Sequence, residues 1–474
     1  MNTVRSVPAP LHKAPVPVEK PKMMTYSERH AAGKLLRESC PRNAHAGWKA
    51  PAHRPDAVRL VLDAEKGRMH HLLPLRHGRM VHSAFTFYRG AALTMASDLA
   101  STPSTGISVQ CCGDAHLCNF GAFATPERRI LFSINDLDET LPAPWEWDVK
   151  RLAASFVVGC RENDLSDSDA RDAALASVRN YREAMAEFSQ MNTLELWHHA
   201  FWLEDLLDTI READWRRRAV KRIQKERMKS AAEEMFPKLV EKKGKMPVIR
   251  DQLPTIFHAK GHTPGQAHQV VLDAMNGYRA TLPTAVQSLL DRYELRDAAI
   301  KVVGVGSVGT FCFALLYMAG DGDPLFLQVK EARPSVLEPY AGASVFSNHG
   351  QRVVNGYRLM QSASDIFLGW TRSKGGRDFF IRQLRDVKIS AQVEIFGASE
   401  MVLYAHWCGR ALALSHARAG SAAMLSGYMG KCDEFDEAIA DFSMAYADQN
   451  EKDHAALARA VRSRKVKAEF EQAA

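Results

Sequence analysis

The chain has 474 residues, 46% of them hydrophobic and 25% charged, with a formal net charge of +7. That length suggests about two or three packed units rather than one small core, and the composition is ordinary for a globular protein. The modest charge argues against a dedicated nucleic-acid binder, the eight scattered cysteines against a disulfide scaffold, and the lack of an apolar run of bilayer length against a membrane span.

Residues 1–55 are rich in Pro, His, Lys and Arg and show little periodicity, so a tail with at most short helices is expected. Met1 to Lys22 lack the apolar core of a secretory signal, which points to a cytoplasmic protein. RGAALTMASDLA (89–100) reads as a helix, and ISVQC and RILFSI (129–134) read as strands flanking a polar loop, CGDAHLCNFGAFATPER. After Leu141 the period changes: Val149, Leu152, Ala153, Phe156, Val157 and Cys160 form the apolar stripe of a helix. Residues 165–295 read as mostly helical, and the basic stretch Arg216 to Lys245 is expected to be a solvated helical face. From Lys301 on, short β-rich runs separated by glycine turns indicate an antiparallel sheet. A helix at about 348–363, strands at 366–371 and 379–384, and helix from Ser399 complete the chain.

The loop between the first two strands carries most of the chemistry. Asp114 follows a strand, Asn119 lies five residues later, and Asp136 follows the next strand with Asp138 beside it. Phosphoryl transfer asks a protein for little covalent work but for positioned charge: a carboxylate to meet the acceptor and oxygen ligands for magnesium. The Asp-to-Asn spacing matches that of a kinase catalytic loop. Each residue alone also suits an ordinary turn, because Asp and Asn bond their own backbone there. His116 is expected to orient the loop or meet a phosphate. Zinc on Cys111, Cys112, His116 and Cys118 is disfavoured, since no second ligand pair occurs at structural-site spacing.

Gly304, Gly306 and Gly309, with Ser307 between them, form a G-x-G-x-x-G turn whose backbone N–H groups can approach phosphates. A dinucleotide-binding turn would open a helix and find an acid about twenty residues on, a place Glu331 could fill. A kinase turn joins two antiparallel strands and precedes a strand bearing a lysine. FCFALLYM after Gly309 is β-prone, and in LFLQVK the alternation puts Leu325, Leu327 and Val329 on one face and Lys330 on the other. The kinase-like continuation is therefore favoured. Among the basic residues at 70–89, Arg79 and Arg89 are candidates for contact with an anionic substrate, against the plainer reading of a polar surface.

CGDAHLCNFG resembles the catalytic loop of aminoglycoside and choline kinases, with Cys112 where they carry histidine before Gly-Asp. INDLDE resembles the metal-binding segment of those kinases, and WEWDVKRLA is similar to their next segment, with Asp148 at the matching acidic position. SAFTFYRGAALTMASDLA, CGDAHLCNFGAF, INDLDETLPAPWEWDVKRLAAS, LQVKEARPSVLE and RDFFIRQLRDVK together resemble the bacterial domain of unknown function 2252 family, from about residue 55 to 460. The resemblance implies a kinase-like relationship and no established substrate.

The expected fold is α+β, a two-lobed protein-kinase-like arrangement that is circularly permuted, since the glycine turn and Lys330 come after the catalytic loop in the chain. Residues 56–300 and 396–474 would build a helical large lobe, and 301–395 a small antiparallel β lobe. ATP phosphates would lie under Gly304, Gly306, Ser307 and Gly309 with Lys330 bridging them; Asn119, Asp136 and Asp138 would hold Mg²⁺, and Asp114 with His116 would serve catalysis. The helix at 348–363 lacks the acid that would pair the lysine, leaving Glu331 and Glu338 as substitutes. Two helices, 89–100 and 404–417, compete for the place before the catalytic loop. The expected activity is phosphoryl transfer to an unidentified small molecule or protein; nucleotidyl transfer and an inactive nucleotide sensor are the alternatives.

Overall fold

The computed structural model describes residues 23–227, 236–243, 246–258, 271, 274–302, 304–384 and 388–471. Helices and antiparallel sheets segregate along the chain, an α+β architecture. Its principal helices are α1 Tyr26–Ser39, α2 Ala57–Asp63, α3 Leu73–Val81, α4 Ala84–Gly90, α5 Ala92–Leu99, α6 Trp145–Glu162, α7 Asp167–Phe188, α8 Ala213–Arg227, α9 His349–Met360, α10 Ala398–Ala419, α11 Ala422–Met429 and α12 Glu434–Arg462. Among the described residues no helix is long and apolar enough to cross a membrane.

The largest sheet has six strands: β7 Ile256–Phe257, β8 Tyr293–Lys301, β9 Cys312–Ala319, β10 Pro324–Ala332, β11 Gly369–Arg372 and β12 Asp378–Gln383, in the order β11-β12-β10-β9-β8-β7, with every neighbouring pair antiparallel. Alternation gives it two apolar faces. Leu315, Leu325, Leu327, Val329 and Ile381 pack on one side, and Ala314, Leu316, Met318 and Phe326 on the other. The sheet starts before the expected boundary at Lys301. The run YELRDAAIK is a strand whose period is broken by a bulge at Leu295/Asp297, so its charged residues disguised it.

A second, larger core gathers α5, α6, α7, α10, α11 and α12 around β1 Ser108–Cys111, β2 Phe120–Ala124, β3 Ile130–Ile134 and β4 Leu141–Pro144. β2, expected as loop, pairs with β3 and with β13 Lys388–Ser390, which brings the chain back from the six-stranded sheet. A small hairpin, β5 Val240–Lys243 with β6 Met246–Ile249, interrupts a region expected to be mostly helical.

The expected tail through residue 55 is also corrected. Residues 1–22 lie outside the described residues, but α1 is a helix with a complete capping box at Thr25 and Glu28. It is docked, not free: Arg37 donates to the Tyr428 carbonyl at 2.8 Å, and Gly33 lies against the Met424 backbone, where tertiary contact stabilises a segment without strong periodicity of its own.

Close helix packing depends on glycine where α10 crosses α7. A Cβ on Gly409 would stand 2.1 Å from the Ser177 carbonyl oxygen. Gly409→Ala is expected to lower stability by about 1–3 kcal/mol, because two backbones must separate. A urea denaturation midpoint unchanged from wild type would refute this.

Candidate active site

Helix α6 builds the site from below. Its apolar stripe is buried as expected, but a polar stripe is buried too: Asp148, Arg151 and Ser155 lie three and four residues apart on one face, beneath the loop 112–119. Asp148 accepts the backbone N–H groups of Cys112 (2.5 Å) and Gly113 (3.0 Å), and His416 Nε2 stands 3.1 Å from it. Arg151 donates through Nε (2.7 Å) and Nη2 to Asp114 Oδ1. Ser155 Oγ accepts from Leu117 N–H at 2.9 Å. Gly113, at φ +81°, is required: a Cβ there would meet the Glu139 carbonyl oxygen at 2.4 Å. His416 comes from α10, and Tyr404 of the same helix donates to the carbonyls of Leu117 and Phe120. α10 thus braces the loop from behind, while α5 leads into β1.

Burial pushes the Asp114 carboxyl up to about 6, with the Arg151 guanidinium pulling the other way. Asn119 donates from Nδ2 to the Asp114 carbonyl (2.8 Å), so its amide oxygen is the group left for a cation.

Across the cleft, Lys330 Nζ lies 3.2 Å from Asp136 Oδ2 and 2.5 Å from Asp138 Oδ2, linking β10 to a segment 194 residues earlier. Burial opposes the Asp136 charge, but Lys330 outweighs it and holds that carboxyl well below the usual range. Burial and the adjacent Asp136 push Asp138 the other way. Asp138 Oδ1 is buried without a hydrogen-bond partner. The lysine therefore finds its acidic partners in the INDLDE segment, at Asp136 and Asp138. Glu331 is taken by Arg377 (2.6 Å), and Glu338 accepts from Ser335 N–H.

The acid-free helix α9 docks by other means. Arg352 donates to the carbonyls of Thr140, Asp138 and Arg333, and Tyr357 donates to that of Asn135 while receiving Leu137 N–H and Arg382 Nη1. Arg382, paired in register with Gln328 on β10, shares the Lys330 face of the sheet.

The turn after β8 carries Gly304 at φ +59° and Gly309 at φ +84°, and it leads into strand β9 rather than a helix. That removes the structural basis of the dinucleotide reading. Its carbonyls are held from the helical side. Arg68 binds those of Gly306 and Val308 (2.7 Å each), Arg79 that of Gly304 (2.6 Å), and Met69 N–H that of Gly309 (2.7 Å). Because C=O and the following N–H point oppositely in a peptide unit, this clamp turns the N–H groups of Val305 and Ser307 away from those arginines.

Asp114, His116, Asn119, Asp136, Gly304, Gly306, Ser307 and Lys330 all line one cleft of about 1150 Å³. Asp138 sits just behind its wall against Lys330, and Gly309 lies behind the turn against Arg68 and Leu73. Sequence reasoning missed Arg382, Gln328, Tyr357, Arg151 and Arg352; for Arg382, alternation in FFIRQL was the available signal. The zinc reading finds no cluster on His116 and Cys118 among the described residues. Cys111 instead lies with Asp148 and His416, whose groups already bond to backbone and to Tyr181.

No curated protein and no solved structure gives a significant match to the chain. One family model does, over residues 68–460, most of its length. By that match the chain belongs to the family described as uncharacterized proteins conserved in bacteria, DUF2252.

Proposed function

We propose that this protein is an ATP- and magnesium-dependent phosphotransferase with a circularly permuted, two-lobed protein-kinase-like arrangement. One observation carries the reading: Lys330, on the strand two after the glycine turn, meets Asp136 and Asp138 across a cleft that also holds Asn119 and Asp114. The donors offered beside it are all oxygens, the amide oxygen of Asn119 and the carboxylates of Asp136 and Asp138 with its orphaned Oδ1, a set that suits a hard divalent cation. Magnesium there would neutralise phosphate charge. Lys330 and Arg382 would hold the nucleotide phosphates, the N–H groups of the glycine turn would cradle them, and Asp114 would orient the acceptor hydroxyl and take its proton. His116 borders that acceptor position.

The reading is tested by thermal denaturation with ATP, with and without Mg²⁺. Wild type is expected to gain about 2.7 kcal/mol at ligand a hundredfold above Kd, dependent on Mg²⁺. Asp136→Ala and Lys330→Ala should each lose that gain. No Mg²⁺-dependent stabilisation of wild type would refute the reading. Mass spectrometry of acceptors then separates added phosphate from added AMP, the signature of nucleotidyl transfer; binding without turnover would indicate a sensor.

A further inference from the structure

Two groups that line the cleft with Asp114 have no task in the nucleotide and metal binding proposed above. Arg89, in the last turn of α4, lines the cleft half-buried, packed on the Phe85 ring at 5.8 Å. Its Nε is buried without a hydrogen-bond partner, and among the described residues no carboxylate lies within ion-pair distance of it. The neighbouring acids are already neutralised: Asp114 by Arg151, and Asp136 and Asp138 by Lys330. Arg79, the other arginine with a claim on an anion, is committed to the Gly304 carbonyl and Glu471.

His116 is 4% exposed and lines the same cleft. Its Nδ1 is buried without a partner, and its Nε2 is 3.9 Å from Asp114 Oδ2, too far for a hydrogen bond. In its neutral form the imidazole has one N–H to give. A half-buried guanidinium with no counter-charge is costly, and a bound anion removes that cost. Its planar fork matches a phosphate or carboxylate.

We propose that Arg89 and His116 form an anion subsite next to Asp114, so that the acceptor is a small hydroxylated molecule carrying a phosphate or carboxylate near the reacting hydroxyl. The acceptor role rests on the phosphotransferase reading; the anion site does not. In the reaction the acceptor oxygen bonds to the γ-phosphorus as the bond to the β-phosphate bridging oxygen breaks. The hydroxyl proton passes to Asp114 and ADP leaves.

The test is calorimetric titration of inorganic phosphate into the full chain, alone and with a non-hydrolysable ATP analogue and Mg²⁺ bound. One phosphate per chain is expected with the analogue bound, and up to one more without it, at the empty position of Lys330 and Arg382. Arg89→Gln should weaken phosphate binding about tenfold or more, the scale of a lost charge-assisted hydrogen bond, and His116→Gln several-fold, with analogue binding unchanged. Arg89→Lys, which keeps the charge without the fork, should fall between and guards against a folding defect. Glycerol 3-phosphate or glycerate should displace phosphate and glycerol should not; the better competitor identifies the acid group. Phosphate binding equal in wild type and Arg89→Gln, or abolished by the analogue, overturns the subsite. Failure of both organic anions to compete overturns the acceptor assignment. Phosphate binding without analogue binding would instead refute the phosphotransferase reading and leave the anion site standing.

Discussion

Asp114→Asn is expected to lower the proposed phosphotransferase turnover by about 10²–10⁴-fold, the range for losing a positioned general base, while leaving the proposed nucleotide binding intact. Asparagine keeps the shape and can still accept from Arg151, so the change isolates the proton. The pH profile gives an independent check. Burial lifts the Asp114 carboxyl to about 6, and under the proposed mechanism the ionised form is the working one. Activity should therefore rise with pH through about 6 and level off above it, and this limb should vanish in Asp114→Asn. The stability linkage has the opposite sign. A carboxyl raised in the folded state binds its proton more tightly there than in the unfolded chain, so its contribution is greatest at low pH and declines as pH climbs through about 6. An activity limb near the ordinary carboxylate range, about 4, would instead mean that Arg151 dominates burial.

Asp148→Ala is expected to cost about 3–5 kcal/mol, a large share of the stability of a typical domain. The carboxylate is 1% exposed and serves three donors: two N–H groups of the loop and His416 Nε2. Alanine would leave both backbone donors buried without acceptors and free the loop that carries Asp114. Asp148→Asn should cost less, since its amide oxygen still accepts one of them. Urea denaturation measures both. A loss under about 1 kcal/mol for Asp148→Ala would show that the loop is held by other contacts, such as Ser155 and Tyr404.

Local pattern sufficed where a segment's neighbours in space were also its neighbours in sequence. The strands at 107–111, 129–134 and 379–384 and the helix at 348–363 were legible from period and turn residues, within a residue or two at most ends. That Asp114, Asn119 and Asp136 fall together in one cleft was legible from spacing because strand, loop and strand are contiguous. The run YELRDAAIK was not, since a bulge shifts its period, and α1 was not, since its stability comes from α11, nearly four hundred residues later.

The sequence by itself determined the inventory: an α+β chain, an acidic loop pair, a glycine turn, and a lysine on the far face of its strand. Tertiary structure alone decided who faces whom. Lys330 finds Asp136 and Asp138 although no helix acid is present, the Arg151 and Asp148 stripe on α6 turns inward to the loop, and Arg89 enters the cleft while Arg79 is spent on the glycine turn. The reason is physical. Periodicity fixes which face of an element is apolar, but a buried charge is placed by whichever opposite charge or backbone donor folding brings to it, and those partners lie tens to hundreds of residues away. The loop that reads in sequence as a spacing of Asp and Asn thus becomes a site only when α6, α9, α10 and β10 close around it.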